Sequence, residues 1–166
     1  MDYYNKLYLV FFKSFKQDAY LTDAINAGNI NAIEQNKSAL LKYAEAGLQS
    51  LEAMEAFESD LTLVTACKKL LLFYQEMCNQ KVQPITDFVL LSENMKKMKK
   101  TLDATPAARR TQADIDSYNK SVKEINDALT AFNKTNNELN RDRTALINGW
   151  NSAVDKFLDR HIPYSK

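Results

Sequence analysis

A seven-residue hydrophobic repeat runs from Ile115 to Arg160, and few folds accommodate it. Alternating steps of three and four give Ile115, Tyr118, Val122, Ile125, Leu129, Phe132, Asn136, Leu139, Arg143, Leu146, Trp150, Ala153, Phe157 and Arg160. Eleven of these fourteen positions are apolar or aromatic, and the exceptions are Asn136, Arg143 and Arg160. No proline interrupts the run, and its one glycine, Gly149, costs a helix only about 1 kcal/mol relative to alanine. The repeat predicts a helix of about 50 residues, roughly 75 Å long, with an apolar seam that other helices must cover.

The preceding segments supply such helices. From Asp2 to Ala27, the face Tyr4, Tyr8, Phe11, Phe15, Ala19, Thr22 and Ile25 recurs at helical spacing, widened by Leu7 and Phe12. Gly28 is suited to the left-handed conformation that closes a helix. Asn31 is the expected cap of the second helix, with Glu34 reaching back to it. Ile33, Lys37, Leu40, Ala44, Leu48, Leu51 and Met54 then form its face, and Ala44 and Gly47 permit close approach. The pattern breaks at Phe57, which predicts a short turn with Ser59 or Asp60 capping the next helix.

The third segment begins near Leu61 and is apolar over a broad arc, as expected of a helix covered on more than one side. Pro84 interrupts it, yet the periodicity resumes through Ile85, Phe88, Leu91, Met95, Met98 and Leu102. A kinked helix over 61–103 is preferred, with two helices joined by a loop as the alternative. Residues 103–110 form the last connection, and Thr111 with Asp114 is the expected cap of the final helix. The expected fold is therefore all-α: one domain over 1–166, an elongated antiparallel four-helix bundle whose long third and fourth helices project as a coiled coil.

Composition narrows the function classes. Hydrophobic residues at 45% and charged residues at 26% describe a globular chain, and a net charge of +1 gives no global argument for nucleic acid. Locally, residues 31–60 carry two lysines against six acids, and residues 61–100 seven lysines against three, so neighbouring helices carry opposite charge. The single histidine, His161, argues against most metal and acid/base constellations, and no phosphate loop, Cys-x-x-Cys or nucleophile elbow occurs. The reading is non-enzymatic, with no cofactor and no metal. His161 is expected to sit at a helix end, where a cation is favoured. Cys67 and Cys78, eleven apart on one helix, lie beyond disulfide reach and are expected to pack as small hydrophobes.

Two groups remain as candidate binding residues. Lys96, Lys97, Lys99 and Lys100, with Arg109 and Arg110 across the connection, place six positive charges near one corner that an acidic partner or membrane headgroups would suit. Asn136 and Arg143, one heptad apart on the seam, form a polar notch that either fixes register or receives a ligand. A cavity lined by Tyr8, Phe11, Phe73 and Trp150 would suit a small ligand, whereas their spacing also suits a packed core.

The opening Tyr4-Asn5-Lys6-Leu7, the Ala27-Gly28-Asn29 turn, Leu72-Phe73-Tyr74 and the closing segment from Trp150 to His161 together resemble a family of small uncharacterised bacterial surface proteins. Members, often lipoproteins, occur in Bacteroidetes and spirochaetes. The resemblance implies export to the periplasm, outer membrane or cell surface, with anchoring through a lipidated cysteine. Here both cysteines fall inside a predicted helix, and no signal peptide is evident at the N-terminus, so export would depend on a segment outside this sequence. The resulting expectation is an envelope-associated structural or interaction module whose partner is another protein. Self-association is a second way to cover the seam, and a small-ligand-binding bundle is the alternative function.

Overall fold

The computed structural model describes residues 2–162. Met1 and residues 163–166, included in the expected single domain, lie outside the described residues. The chain forms α1 (Asp2–Asn26), α2 (Ile30–Glu52), α3 (Thr62–Glu76), a π turn (Met77–Lys81), α4 (Val82–Ala104), a 3-10 turn (Ala107–Arg109) and α5 (Gln112–His161). The architecture is all-α, an elongated helical bundle with long third and fourth rods.

The buried stripe of α1 is Leu7, Phe11, Ser14, Asp18, Leu21 and Ala24, rotated from the aromatic face expected of it. Tyr8 and Phe12 are instead partly open to solvent, at 37% and 38% exposure, stacked on each other at 5.5 Å. Asp18 takes a core position because Arg143 of α5 meets it there, as described below, and Ser14 lies one turn before it on the same stripe.

Gly28, at φ +64°, turns the chain into α2. Asn29, not Asn31, caps the helix, accepting from the Ala32 amide at 3.1 Å. The tight glycine turn brings the extended residue forward by two positions, so Asn31 already lies in the first turn. Ile33, Leu40, Ala44, Gly47 and Leu51 are the buried face of α2. A Cβ on Gly47 would stand 2.8 Å from Leu71 Cδ1 and 3.0 Å from Val10 Cγ1, so the close packing expected there is realised by side chains of α1 and α3.

Between α2 and α3, Phe57 and Asp60 exchange backbone hydrogen bonds of 3.2 and 2.7 Å around Glu58 and Ser59. Both central residues have positive φ, at 48° and 69°, a conformation that costs a non-glycine residue about 1 kcal/mol. Leu61 holds the N-cap position of α3 without a side-chain cap bond, and Asp60 just before it, rather than Ser59, accepts from the Thr62 amide at 2.8 Å.

α3 is the most enclosed helix. It packs on α1, α2 and α5 and buries Leu63, Cys67, Leu70, Leu71 and Tyr74. α3, the π turn and α4 form one rod whose junction residues keep right-handed helical dihedrals. Pro84 has no amide hydrogen, and its ring would strike the carbonyl four residues back in an unbroken α-helix. The wider turn, with the Val82 amide bonded to the Met77 carbonyl, relieves that clash and leaves Pro84 in the first turn of α4, where a donor is dispensable.

Thr111 and Asp114 form the expected capping box: the Thr111 hydroxyl accepts from the Asp114 amide at 3.2 Å, and Asp114 accepts from the Thr111 amide at 2.9 Å. From this start α5 runs 50 residues without interruption. Its second half buries Leu139, Trp150, Ala153 and Phe157 in the bundle. Its first half packs on α4, so the pair forms an arm. At 1.5 Å per residue, α5 is about 75 Å long and α1 about 37 Å, which sets the length of the projection.

Candidate functional site

The polar notch of α5 is occupied from within the protein. Arg143 donates from Nε to Asp18 Oδ2 at 2.6 Å and from Nη2 to Asp18 Oδ1 at 3.0 Å, a two-pronged contact between α5 and α1. Its Nη1 donates to Asn140 Oδ1 at 2.8 Å, and Met77 Sδ of the π turn lies 3.7 Å from Nη2. The Asp18 side chain is 4% exposed and that of Arg143 20%, so the carboxylate is enclosed while the guanidinium reaches the boundary. Among the described residues, the buried Ser14 Oγ has no hydrogen-bond partner, and Tyr74 Oη lies in the enclosed surroundings of Asp18. Burial pushes the Tyr74 hydroxyl far above its ordinary ionisation range, and the Asp18 charge adds to the effect. Asn136, one heptad outward, is half-buried and its side chain makes no hydrogen bond among the described residues, so the structure does not join it to this cluster.

A second ionic cluster ties the end of α5 to the strained turn. Asp60 Oδ2 receives Arg160 Nη1 at 2.6 Å and lies 3.0 Å from His161 Nε2, while His161 Nδ1 lies 3.2 Å from Glu58 Oε2. Both contacts of the ring are hydrogen bonds at once only when both nitrogens carry protons. Hydrogen bonds from Thr62, then from His161, hold the Asp60 carboxyl far below the usual carboxylate range. Phe57 and Phe157 pack on the imidazole at 5.0 and 4.6 Å. His161 thus acts as a latch between α5 and the α2–α3 turn, a partner set that its position near the C-terminus did not reveal.

The six basic residues Lys96, Lys97, Lys99, Lys100, Arg109 and Arg110 are all exposed. They are strung along the end of the arm. Lys96 borders a crevice shared with Gly28 and Phe132, and Arg109 and Arg110 lie in the turn at the tip, where Arg110 Nε donates to the Thr105 carbonyl at 3.0 Å. Eight helical residues, about 12 Å of rise, separate Lys96 from the end of α4.

The aromatics suggested for a ligand cavity do not converge on one. Phe11 and Trp150 stack at 4.6 Å within the core, and Tyr8 lies outside it. A concavity lies elsewhere, an open groove of about 790 Å³ between the start of α3 and the end of α5. Gly149 and Ala153 are among its small lining residues, and the groove is rimmed by Lys69, Lys156 and Arg160, with Trp150 at its edge. Sequence reasoning passed over this feature because Gly149 registers only as a weak point in the repeat.

Among the described residues, no three His, Cys, Asp or Glu side chains are arranged to hold a metal ion, and no helix is long and apolar enough to cross a membrane. Comparison with family models, with curated proteins and with solved structures finds no match.

Proposed function

We propose that this chain is a non-enzymatic interaction module of a bacterial envelope, which presents the α4–α5 arm to helices of another protein. The observation that carries the reading is the state of the repeat along the arm. Ile115 and Leu129, two heptads apart on the same edge of α5, are each 40% exposed, with Val122 between them half-buried. Nearer the body, Leu139 of the same repeat is buried in the bundle core, where α3 as well as α4 packs on α5. One helix covers one side of a heptad seam, and an amphipathic partner helix would cover the other. The exposed lysines of α4 would favour acidic flanks on that helix.

Replacing Ile115 and Leu129 together with Glu tests the reading. Retention of the physiological partner should fall at least tenfold while the helical signal stays unchanged. Sedimentation of both forms identifies whether the partner is a second copy, since an arm-mediated dimer would dissociate in the variant. Partner retention and assembly equal to wild type would remove the arm from the proposal. The envelope location rests on the family resemblance alone, and fractionation of the source cells, with recovery in the cytosol, would overturn it.

A further inference from the structure

The groove at the opposite end of the molecule from the arm's tip has a composition that selects its occupant. Thr62, Thr65 and Lys69 lie at i, i+3 and i+7 and form one face of α3, while Gly149, Lys156 and Arg160 follow one face of α5. The two faces make the walls of the 790 Å³ groove. Its floor is low at Gly149, where an added Cβ would meet no atom within 4 Å. Glycine here serves neither a left-handed turn nor close packing inside the chain, so the space it leaves belongs to the groove.

The charges are one-sided. Lys69 and Lys156 are exposed and make no ion pair among the described residues. The one acid in the lining, Asp60, is already engaged by Arg160, His161 and Thr62. The α5 wall runs from Ala145 to Arg160, about 22 Å of helix, with Lys69 on the facing α3 wall and Lys156 on α5, so the groove is long and carries a cation on each wall. A single small anion would fill only a fraction of that length. A helix carrying carboxylates on successive turns would follow the groove, offer a carboxylate to each lysine and lay its backbone over the glycine floor.

We propose that the groove between α3 and α5 docks an acidic helical peptide segment of a partner protein, with Lys69 and Lys156 reading its carboxylates and Gly149 admitting its backbone. Charge complementarity selects the occupant, and the glycine gap sets how closely it approaches. This surface is independent of the arm, and its success or failure leaves the arm reading unchanged.

Trp150, the only tryptophan in the sequence, borders the groove and supplies the readout. The full chain is titrated with a synthetic 20-residue helical peptide bearing Glu at every fourth position, while Trp150 emission is followed. A saturable change is expected. Lys69→Glu with Lys156→Glu should weaken binding at least tenfold, as should Gly149→Leu, which fills the floor without altering charge. Circular dichroism verifies that each variant keeps its helices. The same peptide with Lys in place of Glu should give no change. Unaltered emission with the acidic peptide, or equal binding by the Gly149→Leu variant, overturns the proposal. So does inorganic phosphate producing the same change at the same concentration, which would make the groove a site for small anions.

Discussion

Arg143 grips both carboxylate oxygens of Asp18, at 2.6 and 3.0 Å, across 125 positions of sequence. The pair fixes α5 against α1, because sliding either helix by one turn, about 5.4 Å, would leave an enclosed charge without its counter-ion. The two partners are not equivalent. Removing Arg143 strands a carboxylate that is almost fully enclosed, whereas removing Asp18 leaves a guanidinium that can extend outward. Arg143→Met is expected to cost about 3 to 5 kcal/mol and Asp18→Leu roughly 1 to 2, with the double variant recovering most of the larger loss. Urea unfolding of the four proteins checks this, and equal single costs would contradict the asymmetry.

Stability should fall in acid through Asp60. Its folded-state ionisation is shifted downward, chiefly by the hydrogen bonds from Thr62. A depressed carboxyl contributes stability that is complete above its unfolded value, near 4, and is lost as pH falls through the folded value. Asp60→Asn should therefore lower the urea midpoint at pH 7, and the gap to wild type should close progressively below about pH 4. A gap that is constant from pH 7 to pH 2 would show that Asp60 acts through shape alone.

The two helical glycines should respond oppositely to alanine. At Gly149 the new methyl meets nothing, so the gain is that of helix propensity, about 1 kcal/mol. At Gly47 it arrives 2.8 Å from Leu71 and 3.0 Å from Val10, and overpacking of about 1 to 3 kcal/mol offsets or exceeds the same gain. Thermal unfolding should show Gly149→Ala raised and Gly47→Ala level or lowered. The opposite order would contradict the packing described around α2.

Cys67 and Cys78 should be inert in the native protein. Burial raises both thiols to about 12 and removes them from solvent. At pH 8 a thiol-specific reagent should modify neither within the time that labels both in 6 M guanidinium. Rapid native labelling of either would mean that α3 or the π turn opens locally.

Much of the architecture was readable because it repeats. The heptads of α5, its Thr111–Asp114 cap and the Gly28 turn are local patterns, and each appears where the pattern puts it. The phase of α1 was not readable. Its aromatic residues outweigh Ser14 and Asp18 in any search for an apolar face, and the reason for burying Asp18 is an arginine on the last helix. The cap of α2 moved from Asn31 to Asn29 because both residues are competent and only the glycine turn decides between them. Pro84 signalled a disturbance, but a wide turn and a break look alike in sequence. The latch at His161 and the groove at Gly149 bring together residues about a hundred positions apart, and no spacing rule reaches that far.

The claim on which the others depend is that α5 is one straight-through helix, half in the bundle and half in the arm. Spin labels at Ser117→Cys and Asn151→Cys, both exposed, straddle the junction, and the buried native thiols stay shielded. Thirty-four residues of unbroken helix predict one narrow distance distribution centred at about 51 Å. A broad distribution, or a peak below about 40 Å, would mean that the helix bends or breaks where it leaves the bundle, and the projecting arm would not exist.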